Sequence, residues 1–211
     1  MKKYIAEAIG TFAIVFCGTG AIIINEESNG AISHVGIAIT FGLIVMAMIY
    51  SFGDTSGANF NPAVTVSLWL SKLLPAKEVA PYIVSQLVGA ILASGILKFL
   101  FWDNKNLGST LPQGSDLQSF VLEFILTFLL MVVILKTSQA TKETQQLAGF
   151  AIGMTVLLEA MFAGPICGAS MNPARSIGPA LISGNLSSIW IYIISPILGA
   201  IAAIGGWKAT K

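Results

Sequence analysis

Six unbroken apolar stretches constrain this chain more than any other feature. They cover roughly residues 4–25, 33–52, 80–101, 118–137, 147–165 and 187–207. A bilayer core is about 30 Å thick and takes about 20 apolar residues per helix, so each stretch is long enough to cross it. Turn-rich segments at 25–30, 103–115 and 137–146 separate them. The 211 residues are 55% hydrophobic and 10% charged, against about 25% charged in soluble domains. A chain of this size cannot hide so much apolar surface and keep a wettable exterior, so its solvent is lipid. That excludes a soluble enzyme, a nucleic-acid binder and a disordered chain. The net charge of +1 excludes strong steering of a charged partner. With one His and two Cys, Cys17 and Cys167, both in apolar contexts, we expect no disulfide framework, no metal cluster and no cofactor.

Six spans put both termini on one side. That side collects Lys2, Lys3, Lys72, Lys77, Lys136, Lys142, Lys208 and Lys211, against Lys105 and the acidic pair Glu26 and Glu27 opposite. The excess of Lys makes the terminal side cytoplasmic, as in a multi-pass protein of the plasma or inner membrane. Lys98 can snorkel, and Trp102, Trp190 and Trp207 fall where interfacial aromatics belong. Met1-Lys2-Lys3 before an apolar run resembles a secretory leader. Glu7 interrupts that run, however, and no small-residue cleavage site closes it, so it reads as a retained first span.

The two halves of the chain match. Glu7-x-x-x-Thr11-Phe12 recurs as Glu123-x-x-x-Thr127-Phe128, Asn61-Pro62-Ala63 as Asn172-Pro173-Ala174, and Gln86-x-x-Gly89-Ala90 is echoed by Pro196-x-x-Gly199-Ala200. Three spans per half is an odd number, so the second half is inserted upside down. Inverted repeats build their sites near the midplane from broken helices. The organisation is one channel domain over 1–211, with a first repeat 1–101 holding a half-helix at 61–71 and a second repeat 118–211 holding one at 172–182. The fold class is an all-α membrane protein of six transmembrane helices plus two half-helices.

Each half-helix opens on an Asn suited to the N-cap and a Pro suited to the first turn. The irregular approaches, Ser56-Gly57-Ala58-Asn59-Phe60 and Cys167-Gly168-Ala169-Ser170-Met171, are tolerable in a membrane only where protein or a water-filled cavity satisfies their backbone. Two such helices entering from opposite faces meet N-terminus to N-terminus. Each end carries roughly half a positive charge, and the Asn amides add donors. The centre of such a passage accepts an oxygen lone pair and disfavours cations, protons included.

On these motifs the sequence resembles the major intrinsic protein family, the aquaporins and aquaglyceroporins. The likeness spans nearly the whole chain: Ala6 to Phe12, Ser56 to Thr65, Glu123 with Thr127-Phe128, and Gly168 to Ser176. The resemblance implies a right-handed bundle and a homotetramer with one pore per subunit. It casts Glu7 and Glu123 as buried acceptors supporting the two irregular loops; proton coupling is the competing role. It casts Arg175, the single arginine, as part of the outer constriction rather than as a snorkelling residue. By spacing from the two asparagines it completes that filter with Phe41, Ala160 and Ala169. Water-selective members usually carry His where this chain has Ala160, and glycerol-type members often carry Asp where it has Ser176. Phe162-Ala163-Gly164-Pro165, the stretch 168–172 and Tyr192-Ile193 look most like the nodulin-like intrinsic branch and its bacterial relatives. That branch is associated with water, glycerol and neutral metalloid hydroxides.

Glu159 adjoins the filter. It either lines the pore or accepts bonds from the second loop or Arg175, and the hydrogen-bonded role is the expectation. His34 reads as an interfacial residue. The function expected is a passive channel for water and small uncharged solutes. A secondary transporter is the alternative, because transporters also use inverted repeats, but it would need carboxylates free to titrate. A membrane enzyme is excluded, since the chain has no metal-ligand pair, nucleophile elbow or phosphate loop.

Overall fold

A computed structural model describes residues 1–210; Lys211, one of the charges counted above, lies outside them. The elements, in order, are α1 (Lys2–Glu27), α2 (Ser33–Ser56), α3 (Pro62–Leu70), α4 (Ala76–Leu100), α5 (Asp116–Ser138), α6 (Lys142–Gln146), α7 (Ala148–Cys167), α8 (Pro173–Ser183) and α9 (Ile189–Ala209). Six of these are long and apolar enough to cross a membrane. The other long-range players, α3 and α8, have 9 and 11 residues and rise only about 14–17 Å at about 1.5 Å per residue.

The helices run a few residues past the apolar stretches because hydrogen bonding, not hydropathy, ends them. Helix α2 continues through Asp54 to Ser56 and stops where Gly57 turns left-handed (φ 82°) and bonds Gly53. Helix α7 stops the same way at Gly168 (φ 86°). A glycine is the natural residue for this αL stop. The segment at 137–146 is not all turn: it contains α6, capped by Thr141.

The packing repeats itself in the two halves. Helix α1 packs on α2 and α4, and α5 packs on α7 and α9; α2 against α7 joins the halves. In three of these contacts a glycine faces the backbone of the other helix. A Cβ on Gly89 would lie 2.2 Å from the Ala8 carbonyl oxygen, and one on Gly199 would lie 2.3 Å from that of Phe124. At the join, a Cβ on either Gly42 or Gly153 would lie 2.7 Å from the other's carbonyl oxygen. Helices in lipid lack a hydrophobic drive to associate, so close backbone approach through small residues supplies the attraction. The half-helices cross over: α8 packs on α4 of the first half, and α3 on α9 of the second.

Candidate pore

The two irregular loops need external acceptors. Ala58 and Phe60 in the first, and Ala169 and Met171 in the second, all have left-handed φ between 41° and 54°. A left-handed residue at every second position cannot form helix or ladder bonds, and such strain persists only where surroundings impose it. Glu7 of α1 provides the support in the first loop. Its Oε1 accepts from the Ser56 hydroxyl (2.6 Å) and Asn59 N–H (3.0 Å), and its Oε2 from Phe60 N–H (2.7 Å) and the Gln86 amide (2.8 Å). Glu123 of α5 accepts from the N–H groups of Ser170 (2.7 Å) and Met171 (2.8 Å). Both glutamates are fully buried.

The second anchor is leaner than the first. Pro196 stands where Gln86 stands in the other half, and the Cys167 thiol takes the place of the Ser56 hydroxyl. That thiol lies beside Glu123 yet donates to the Ala163 carbonyl at 3.5 Å. Tyr82 and Tyr192 close the two loops alike, their hydroxyls donating to the carbonyls of Ser56 (2.8 Å) and Cys167 (2.7 Å).

The half-helices start on side-chain caps. Asn61 Oδ1 accepts from Ala63 N–H at 2.9 Å, and Asn172 Oδ1 from Ala174 N–H at 3.0 Å and Arg175 N–H at 3.3 Å. Each asparagine also reaches across the join. The Asn61 amide donates to the Met171 carbonyl (2.7 Å), and the Asn172 amide to the Phe60 carbonyl (2.9 Å). The two N-termini therefore face each other, tied crosswise. An amide carries two N–H donors, so each keeps one beyond this bond.

Both asparagines line a cavity of about 680 Å³. It runs from Phe41, Ala169 and Arg175 past Asn61, Asn172 and Val156 to Tyr50, Asp54, Lys142 and Gln146. Glu7 and Glu123 are not in its wall. Ala160 is buried in the cluster that holds Phe41 and Ala169 but is not among the cavity's lining residues. At the Phe41 end Arg175 is 2% exposed; its Nη1 donates to the Gly108 carbonyl at 2.9 Å, and its guanidinium carbon lies 5.1 Å from the Phe41 ring centre. Ser176 is held by Thr110 (2.9 Å) and Ser170 (2.5 Å).

Several of these partners lie outside the residues singled out from sequence. Tyr82 matches Tyr192 in the other half, which is a signal available from sequence, whereas Gln86 and Tyr192 belong to motifs read from the sequence but without a role as loop partners. Gly108 carries no such signal. It belongs to the connection 101–115, whose course is set by Asn104, which accepts from Asn106 N–H (3.2 Å) and Leu107 N–H (2.8 Å) and donates to Glu26 (3.0 Å). His34 lies at the start of α2, and its Nε2 is 2.8 Å from the Met161 carbonyl oxygen of α7. The expectation for Glu159 is corrected: neither carboxyl oxygen has a hydrogen-bond partner among the described residues, from the second loop, Arg175 or elsewhere. The loop's N–H groups are taken by Glu123, and Arg175 turns to Gly108. Both cysteines are free.

Six membrane-crossing helices, with two half-helices inserted from opposite faces and capped by asparagines at a central cavity, define a multi-pass helical membrane protein of inverted-repeat design. Comparison with known proteins supplies the family. The chain belongs to the major intrinsic protein family, whose model matches residues 1–207. It is 49% identical over 208 residues to aquaporin NIP1-1 of Oryza sativa subsp. japonica, covering 98% of this chain and 72% of that one. It is 45% identical over 208 residues to nodulin-26 of Glycine max, covering 98% and 76%. Among solved structures, the aquaglyceroporin from Plasmodium falciparum superposes with a TM-score of 0.88 at 22% identity, covering 98% and 94%. That likeness speaks to the fold.

Proposed function

We propose that this protein is a passive channel for water and small uncharged solutes, including glycerol or neutral metalloid hydroxides. The observation that carries the reading is the meeting of two Asn-capped helix N-termini in the wall of one continuous cavity. Each end presents donors and partial positive charge. An oxygen lone pair is welcomed there, and a cation is not. The competing transporter reading is disfavoured because the oxygens of Glu7 and Glu123 are committed to the loops and lie outside the cavity wall.

Phe41, Ala160, Ala169 and Arg175 form the selectivity filter of this reading. Phe41 offers an apolar wall to the carbon side of a polyol, Arg175 donates to its hydroxyls, and two alanines leave width. The names of the relatives support water. The chain acts as one domain of two repeats, 1–101 and 118–211, and assembles as a homotetramer in the plasma or inner membrane. Both termini are cytoplasmic in this reading, supported by the basic residues gathered near the chain ends: Lys3 pairs with Glu78 at 2.7 Å, and Lys136 donates to the Thr210 carbonyl at 2.6 Å.

Stopped-flow light scattering on proteoliposomes tests the reading. Wild-type protein should pass water, glycerol and arsenous acid without an ion gradient. Ala160→His should remove glycerol while sparing much of the water flux, and Ala160→Leu should do the same by bulk. Saturating flux that needs a proton or sodium gradient would replace the channel with the transporter.

A further inference from the structure

Three acids lie within the apolar stretches of the transmembrane helices, Glu7, Glu123 and Glu159, and of these Glu159 is the one that the loop architecture does not employ. It lies in α7, directly before the filter position Ala160, and is 7% exposed. Its two carboxyl oxygens are both buried and both lack a protein donor among the described residues. A buried carboxyl group without hydrogen bonds costs several kcal/mol in a low-dielectric setting, and ionisable groups inside membrane spans are there for a function. Lipid has no donors to offer. Glu123, the neighbouring acid on α5, is taken up with Ser170 and Met171, and the Arg175 guanidinium is held against Gly108 and Phe41. No described residue of this chain supplies Glu159 with a donor, which leaves groups from outside the chain, the content of the pore among them.

The surroundings allow that contact. Ala148, Gly149, Ile152 and Val156 of α7 line the cavity, and at 3.6 residues per turn Glu159, Ala160 and Ala163 continue that face of the helix beyond the Arg175 end, although none of the three is in the cavity wall itself. Across the filter, Ala169 is as small as Ala160. Arg175 is a donor and Phe41 has no polar atom, so the named filter residues contribute no side-chain acceptor at all. A solute with several hydroxyls has as many donors as acceptors, and a donor-only filter leaves its O–H groups unpaired. We propose that Glu159 is a specificity-determining residue of the outer constriction, whose carboxyl group accepts hydrogen bonds from the hydroxyls of a neutral polyhydroxy solute. The matching position in α2, in the repeat register of the two asparagines, is Met48, so only one of the two halves carries this group.

This inference rests on the channel reading above and makes a separable claim. Water needs one acceptor for a short time, whereas glycerol or boric acid offers three hydroxyls that must be paired at once. Removing the acceptor should therefore cost the larger solute far more than it costs water, as unmatched polar groups do in any site built to bond a hydroxyl. The test is stopped-flow permeation of water, glycerol and boric acid through proteoliposomes holding wild type, Glu159→Gln or Glu159→Leu. We expect the glycerol-to-water and boric-acid-to-water permeability ratios to fall about tenfold or more in Glu159→Leu. Glu159→Gln keeps a carbonyl acceptor and should retain most of each ratio.

A second readout does not depend on the Leu variant folding. Infrared difference spectra of wild type on adding glycerol should show a perturbed carboxyl band that is absent from Glu159→Gln. Unchanged ratios in Glu159→Leu, or proportional loss of water and solute together, would refute a specificity role while leaving the channel intact. A glycerol difference spectrum identical in wild type and Glu159→Gln would refute the contact. Wild type that passes water but neither solute would overturn the wider-solute reading and this inference with it, and wild type that passes nothing would overturn the channel reading itself.

Discussion

Replacing each loop-supporting glutamate by glutamine should reveal that the two anchors are unequal. A glutamine keeps one acceptor oxygen and replaces the other with an amide that donates. In Glu7 each oxygen receives two donors: Ser56 and Asn59 at Oε1, Phe60 and Gln86 at Oε2. Whichever oxygen is lost, two buried donors lose their acceptor. In Glu123 each oxygen receives one N–H, from Ser170 or Met171, so one donor is orphaned. At about 1–3 kcal/mol per orphaned buried donor, Glu7→Gln should cost about 2–6 kcal/mol and Glu123→Gln about 1–3 kcal/mol. The Ser56 hydroxyl can rotate, which puts Glu7→Gln toward the lower part of its range.

The assay is the unfolding midpoint of purified protein in mild detergent titrated with a denaturing one, with proteoliposome permeation measured on the same preparations. The expected result is a larger loss of stability for Glu7→Gln, with selectivity among water, glycerol and protons kept in whatever protein remains folded. If Glu123→Gln cost as much as Glu7→Gln, the donor arithmetic would be wrong. If either variant were fully stable but lost a proton-coupled flux, the carboxylate would be a transport group and not a support.

The helix crossings make a second prediction: Gly89→Ala and Gly199→Ala force a methyl to 2.2 and 2.3 Å from carbonyl oxygens of the facing helix, so each should cost about 1–3 kcal/mol or more in the same unfolding assay. Gly95→Ala, in the same helix as Gly89 but with nothing within 4 Å, should instead be neutral or stabilising by up to about 1 kcal/mol. At the centre, Asn61→Asp or Asn172→Asp places a carboxylate at a helix N-terminus where it is stabilised, and should admit a measurable proton or cation leak, read with a pH-sensitive dye in the liposome lumen; unchanged proton permeability beside intact water flux would refute the electrostatic barrier. Asn104→Ala removes the side chain that folds 104–107 and so loosens the Gly108 carbonyl from Arg175; solute selectivity should relax while thermal stability changes by only about 1 kcal/mol.

The local and the periodic were legible in the sequence. Span number follows from stretch length against bilayer thickness, and a half-helix opening on Asn-Pro announces its own start because the cap is made by the residue itself, as Asn61 and Asn172 do. Glu7 and Glu123 could be singled out because an acid in an apolar run is costly anywhere. What the sequence could not reach is whatever depends on two distant segments arriving together. That the two asparagine amides are exchanged across the join, with Asn61 on Met171 and Asn172 on Phe60, depends on how two loops 110 and 112 residues apart dock. The hold of Gly108 on Arg175 is a backbone carbonyl meeting a side chain 67 positions away, and every residue has such a carbonyl, so no residue type marks it. Glu159 shows the limit most plainly. Its neighbours in sequence place it beside the filter, but only the packed bundle decides that the loop N–H groups of Ser170 and Met171 go to Glu123 and that no described donor reaches Glu159, because hydrogen-bond supply is settled by tertiary competition and not by the residue that demands it.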